Sequence, residues 1–185
     1  LLSQGARLDG FGVGERLITA RSEPVFGAVY KLCAVEEDGR LAPRIKISEN
    51  VEKITNPGLK RLLRVYDGAG KSVADLITLR DEPLPGTEPY RYVDPVRPWR
   101  VRYFEGCSFE ELLQPVFVDG KRVYSLPSLA ESRAYVQRQL HEQVWEEEQR
   151  IQNPHIHYID MSPKMYELKM NMLHTEHRAK EDKPC

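Results

Sequence analysis

The chain has 185 residues, with 27 Lys and Arg against 28 Asp and Glu, for a formal net charge of −1 at neutral pH. Hydrophobic residues make up 41% and charged residues 30%, the balance of a folding domain rather than of a disordered segment. These numbers argue against a general nucleic-acid or anionic-membrane binder, and no apolar run approaches the roughly 18 residues that a membrane span needs. No secretory apolar region is visible, and Cys33, Cys107 and Cys185 are too few and too scattered for a disulfide framework. A cytoplasmic chain with no membrane and no nucleic-acid partner is the expectation.

Residues 1–4 followed by Gly5 read as the last turn of a helix and its left-handed stop. A domain seldom begins at the end of a helix, and no Met precedes Leu1, so the chain is expected to be one piece of a longer polypeptide. Residues 6–11 alternate as a short strand, a glycine-rich loop follows, and residues 16–19 start a second element. That order is the rhythm of a βα or barrel repeat. Residues 27–35 are dense in strand formers and end at a turn over 36–39. Residues 44–48 alternate with period two, which predicts a strand with one wet face.

Asn56-Pro57-Gly58 predicts a turn. Residues 60–66 form a strand, 67–70 a hairpin-type connection and 72–79 the returning strand. A crossing with Pro83, Pro85 and Pro89 leads to residues 92–103, which alternate with basic side chains outward. Residues 109–123 hold another turn at Asp119-Gly120, so the middle of the chain is expected to be mainly antiparallel β.

Two helices close the sequence. Ser128 and Glu131 predict a capping box, and Leu129, Val136, Leu140 and Val144 repeat on one face as a stripe expected to pack in the core. This helix is expected to run to about Trp145, with Asn153-Pro154 ending the segment and residues 155–160 extended. Ser162 then serves as N-cap and Pro163 as first residue of a second helix, with Met165, Leu168 and Met172 on one face.

The strongest local signal is Asp9-Gly10-Phe11-Gly12-Val13-Gly14-Glu15-Arg16. Gly12 and Gly14 allow successive N–H groups to face one point, as a loop that cradles a phosphate requires, and Arg16 could add a charge-assisted contact. Taken alone, the pattern reads first as a tight glycine turn without a ligand. Other features carry plainer readings. His155 with His157, and His174 with His177 near Cys185, are read as a solvated strand and a solvated helix end rather than as a metal site. Arg91, Arg97, Arg100 and Arg102, interleaved with Tyr92, Trp99 and Tyr103, read as a wet strand face. Glu146-Glu147-Glu148 reads as an exposed turn, and Cys33 and Cys107 as small buried hydrophobes.

Longer blocks carry a resemblance. The run from Leu8 through Gly10, Gly12, Gly14 and Arg16 to Thr19 resembles a signature of the nicotinate phosphoribosyltransferases. The likeness continues through residues 24–32, 43–53, 56–58, 126–133 and 161–169, in the family's order. It implies an enzyme that joins nicotinate to phosphoribosyl pyrophosphate, giving nicotinate mononucleotide and pyrophosphate in NAD biosynthesis. ATP hydrolysis would be coupled through a phosphohistidine, with Mg²⁺ in support and a homodimer completing the site.

The resemblance also implies a fold that mixes α/β and α+β. Residues 1–35 would supply the last elements of an irregular phosphoribosyltransferase-type α/β barrel. Residues 36–174 would form the C-terminal part of the flanking domain, mainly antiparallel β with two C-terminal helices, and 175–185 a mobile tail. Gly12, Val13, Gly14 and Glu15 would contact the phosphate of the phosphoribosyl group through their backbone, with Arg16 nearby. The position after Gly14 is commonly Thr in the family and is Glu15 here. A carboxylate repels a phosphate, so only the Glu15 amide serves as donor. The phosphohistidine, the nicotinate-clamping Arg and the stacking aromatic would precede this segment, the Mg²⁺ and ATP ligands would lie outside it, and the segment alone is expected to be inactive. Rival readings are another pyridine-base phosphoribosyltransferase of the same fold, or a non-catalytic subunit derived from it.

Overall fold

The computed structural model describes residues 4–22, 24–25, 27–50, 53–86 and 88–181, with side chains through Thr175. The chain divides into two compact units, Leu1–Lys31 and Leu32–Cys185.

In the first unit Gly5 adopts the left-handed conformation expected of a helix stop, with φ +83°. The predicted strand over residues 6–11 does not form. A strand is stabilised by a neighbour's hydrogen bonds, and among the described residues none pairs with this segment. The loop leads into α1, Glu15–Ile18, with Gly14 as N-cap in extended conformation. The strand predicted over 27–35 is also shorter than expected: regular pairing starts only at Ala34.

The second unit begins with a hairpin of β1 (Ala34–Glu37) and β2 (Arg40–Pro43), in register Ala34↔Pro43. Asp38 and Gly39 turn it with φ +51° and +73°, the two-residue turn whose twist matches that of the strands. The strand predicted over 44–48 does not join a ladder. Instead Lys46 is tied to Thr55, whose N–H donates to the Lys46 carbonyl at 3.3 Å and whose Oγ1 accepts from the Lys46 N–H at 3.3 Å.

The centre of this unit is a four-stranded sheet. β3 (Lys60–Tyr66) and β4 (Ser72–Leu79) form the predicted hairpin, and the Asp67 carboxylate accepts the N–H groups of Ala69 and Lys71 within the connection, both at 2.9 Å. β7 (Ser108–Glu111) adds antiparallel to β3, and β10 (Ile159–Met161) adds parallel to β4. Leu63, Val65, Ala74 and Leu76 fill one face of the sheet. There they meet Tyr92 and Phe104, whose rings stack 4.0 Å apart.

Those two rings come from β5 (Tyr90–Tyr92) and β6 (Arg102–Phe104), an antiparallel pair. A single strand over 92–103 was the expectation, but Asp94 folds the chain back between them. Its carboxylate accepts the N–H groups of Val96 and Arg97 at 2.9 and 3.0 Å, and Pro95 and Pro98 provide no ladder donor. A small hairpin, β8 (Phe117–Val118) with β9 (Lys121–Arg122), turns at Asp119-Gly120 as expected.

Helix α2 (Leu129–Arg138) opens with the predicted capping box: Ser128 Oγ accepts the Glu131 N–H at 3.3 Å, and Glu131 Oε2 accepts the Ser128 N–H at 2.7 Å. A π-helical segment, Gln139–Gln143, continues it. The apolar stripe is not core packing: Leu129 is 87% exposed and Val136 52% exposed, and α2 buries no residue. Helix α3 (Pro163–Glu181) starts where expected, with Ser162 Oγ accepting the Met165 N–H at 3.0 Å. Met165 and Leu168 seal the end of the sheet against Leu79 and Met161. The helix runs into the segment expected as a tail; residues 182–185 lie outside the described residues.

Candidate functional site

Gly12, Val13, Gly14, Glu15 and Arg16 are placed together on one exposed loop at the start of α1. The glycines are not required by a left-handed backbone, since neither Gly12 nor Gly14 has a positive φ. What their missing Cβ leaves is space: a Cβ at either position would meet nothing within 4 Å, so a ligand can approach the main chain there. The first turn of α1 leaves its leading N–H groups without intrahelical acceptors, the local condition for holding an anion. Thr19 closes the short helix by donating from Oγ1 to the Glu15 carbonyl at 2.8 Å. Arg16 makes no ion pair among the described residues, and its side chain is exposed.

A second constellation was invisible in the sequence. Arg64 on β3 donates to the Asp75 carboxylate on β4 from Nε and Nη2, at 2.9 and 3.0 Å. His157 stands beside the same carboxylate, with Glu148 on its other side. The reading of His157 as solvated, and of Glu148 as part of an exposed turn, is therefore corrected: both are half-buried around a buried Asp75. Burial pushes the Asp75 carboxyl up, but His157 and then Arg64 outweigh it and hold it down at about 2. Asp75, against the cost of burial and with help from Glu148, raises His157. Nearby, Tyr66 donates to Glu110 Oε2 at 2.7 Å, and burial followed by that carboxylate pushes its hydroxyl up to about 12. The Ser72 hydroxyl donates to the Gln143 carbonyl at 3.1 Å, fixing the π-helical segment to the sheet.

The remaining sequence candidates are scattered. Arg97 is ion-paired with Asp94 at 3.0 Å, and Trp99 is exposed in the turn between β5 and β6. Cys33 and Cys107 are half-buried rather than fully buried; Cys107 lies at the edge of the aromatic core. Among the described residues no three His, Cys, Asp or Glu side chains converge to hold a metal ion. The side chain of His177 and all of Cys185 lie outside those residues. Among the described residues no helix is long and apolar enough to cross a membrane.

The structure therefore presents a mixed α/β domain with one parallel strand pair, preceded by a glycine loop opening a helix. Residues 59–169, the sheet and the start of α3, match the family model of the nicotinate phosphoribosyltransferase C-terminal domain. The chain belongs to the nicotinate phosphoribosyltransferase family, of which it represents the C-terminal portion. It is 38% identical over 175 residues to a nicotinate phosphoribosyltransferase of Bacillus subtilis (strain 168), covering 94% of this chain and 36% of the relative. It is 32% identical over 175 residues to the Homo sapiens enzyme of that name, covering 91% of this chain and 30% of the relative. The crystal structure of human nicotinic acid phosphoribosyltransferase superposes with a TM-score of 0.59 at 27% identity, over 63% of this chain and 23% of that one. The chain thus spans about a third of the length of the curated relatives it matches.

Proposed function

We propose that this chain forms part of an enzyme that joins nicotinate to phosphoribosyl pyrophosphate, releasing nicotinate mononucleotide and pyrophosphate in NAD biosynthesis. What carries this reading is the likeness to a nicotinate phosphoribosyltransferase over 94% of the chain, at 38% identity, which takes in the glycine loop as well as the sheet. On this reading, residues 1–35 contribute to a barrel and the rest to a flanking domain, within a cytoplasmic homodimer. Coupled ATP hydrolysis and Mg²⁺ belong to the same proposal, with their ligands elsewhere in the intact polypeptide.

The role of this chain is to hold the donor. The N–H groups of Gly12 to Glu15 and the leading turn of α1 grip the phosphate of the phosphoribosyl group. The anomeric carbon gains positive character as pyrophosphate departs. A donor fixed at its phosphate end is positioned for attack by the base, and that supplies orientation rather than new covalent chemistry. Glu15 faces solvent and contributes its amide only.

The test uses the intact polypeptide that carries this chain. Turnover on nicotinate with phosphoribosyl pyrophosphate and ATP is expected, and turnover only on nicotinamide or quinolinate, or none at all, overturns the activity. Gly14→Val fills the space above the main chain. It is expected to raise KM for the phosphoribosyl donor by roughly tenfold or more and that for nicotinate little, because small misplacements of a reactant are costly. Equal effects on both substrates would remove the loop from its role.

A further inference from the structure

Two buried carboxylates lie near one another where β10 passes the β5–β6 pair, and they are treated very differently. Asp94 is 4% exposed and satisfied: it accepts from the N–H groups of Val96 and Arg97 and from Arg97 Nε. Asp160 is 3% exposed, and among the described residues no hydrogen bond reaches its carboxylate. Burial, then repulsion from Asp94, pushes its carboxyl up to about 6, against the pull of Arg102 and Arg97. Leaving a buried charge without a donor costs stability, and side chains kept in that condition gather at ligand sites.

Asp160 does not face sealed packing. It lines a cavity of about 420 Å³ together with Tyr92, Arg102, Tyr103, Phe104 and Tyr158. That volume suits a small molecule, and the walls mix these aromatic rings with Val73, Ala74, Glu105 and Cys107. Arg102 stands opposite Tyr92 in the β5–β6 register and forms no ion pair among the described residues. The cavity therefore combines one buried carboxylate that no hydrogen bond reaches among the described residues, aromatic rings on part of its wall, and the Arg102 cation, which pulls on Asp160 without forming an ion pair with it.

We infer that this cavity binds a small planar molecule whose edge presents two adjacent N–H donors to Asp160 and whose anionic substituent reaches Arg102. A fork of two parallel N–H groups matches the two oxygens of a carboxylate, which a single ammonium does not. The tyrosine rings supply the flat apolar surface that such a ring requires. Nothing in this argument uses the phosphoribosyl chemistry, and the site lies wholly within the unit Leu32–Cys185.

The probes are benzamidine, which has the donor fork alone, and 4-carboxybenzamidine, which has both ends. Binding to the intact polypeptide is read by calorimetry, with no turnover involved, so that failure here leaves the proposed activity untouched. Saturable binding of both probes is expected. Asp160→Asn should weaken both by tenfold or more, while Arg102→Ala should weaken 4-carboxybenzamidine and leave benzamidine within about twofold, because only one probe carries the anion. Thermal unfolding without probe adds an independent readout. Asp160→Asn is expected to raise the midpoint by removing an uncompensated charge. No saturable binding, unchanged affinity in Asp160→Asn, or a lowered midpoint that marks Asp160 as already paired by another part of the polypeptide would each overturn the assignment.

Discussion

His157 Nε2 lies 3.4 Å from Asp75 Oδ1, joining the approach to β10 with the middle of β4. Glu148 Oε1 is 3.3 Å from the other ring nitrogen, so the imidazole is held between two carboxylates. Protonated, it is attracted by both; neutral, it loses that attraction while staying half-buried.

The pH dependence follows from the signs. His157 is raised above its ordinary 6.5, so its contribution is complete below that value and is lost as pH rises through the folded-state value. Asp75 is lowered from 3.8 to about 2, so its contribution is present above 3.8 and is lost as pH falls through about 2. His157→Gln is therefore expected to lower the urea midpoint clearly at pH 5.5 and much less at pH 9. An equal loss at both pH values would leave His157 with a packing role only.

Asp160 runs in the opposite direction from Asp75. Its carboxyl is raised from 3.8 to about 6, so the folded state gains from protonation at low pH and that gain disappears as pH rises through about 6. Its neighbours Asp94, Arg102 and Arg97 set this balance, with burial first. Urea unfolding of Asp160→Asn between pH 4.5 and 7.5 should lack this part of the slope, with a gain over the parent that grows toward pH 7.5.

Gly58 is required by both its backbone and its surroundings. Its φ is +83°, and a Cβ there would stand 2.9 Å from Leu79 Cδ2 and 3.4 Å from Leu168 Cδ2. A left-handed L-residue costs roughly 1–2 kcal/mol and overpacking about 1–3 kcal/mol more. Gly58→Ala is expected to lose on the order of 2–5 kcal/mol in denaturant unfolding. Gly39→Ala, at φ +73° with nothing within 4 Å, should lose only the backbone part.

Ser128→Ala tests the capping box where α2 buries nothing. Loss of such a cap costs about 0.5–2 kcal/mol of helix stability. Because the helix stands on the surface, the expected signature is faster amide exchange over residues 130–134 with a nearly unchanged global midpoint. A large midpoint shift would show that α2 supports the sheet.

The apolar stripe of α2 predicts behaviour in solution. Leu129, Val136 and Leu140 are exposed, as are Phe117 and Val118 of the small hairpin. Val136→Gln with Leu140→Gln should change unfolding free energy by less than about 0.5 kcal/mol. The same pair should reduce self-association of the 185-residue chain by itself, measured by sedimentation.

Elements decided by neighbours in sequence were legible; those decided by distant partners were not. The β3–β4 hairpin, the Asp119-Gly120 turn, the capping box and the start of α3 at Ser162-Pro163 all follow from local spacing and turn chemistry. The expected strands over 6–11 and 44–48 had the right alternation and no partner to pair with. The strand over 92–103 was broken by the Asp94 turn, whose hydrogen bonds outweighed alternation. Helical periodicity in α2 was correct, but periodicity identifies a face and not what covers it. His157 and Asp160 escaped because Asp75 reaches His157 through the parallel pairing of β10 with β4, and Asp94 nears Asp160 where Val93 bridges Met161. The placement of Gly12 to Arg16 on one loop was readable because those residues are contiguous.

That parallel pairing has a consequence during synthesis. β3 and β4 can close as soon as residue 79 leaves the ribosome, and β7 can join about thirty residues later, whereas β10 follows β4 by some eighty residues. Until Ile159–Met161 arrives, one edge of β4 offers unpaired main-chain groups in the middle of what will be the core. A nascent or truncated chain that stops short of Met161 is thus the form most exposed to strand exchange with its neighbours.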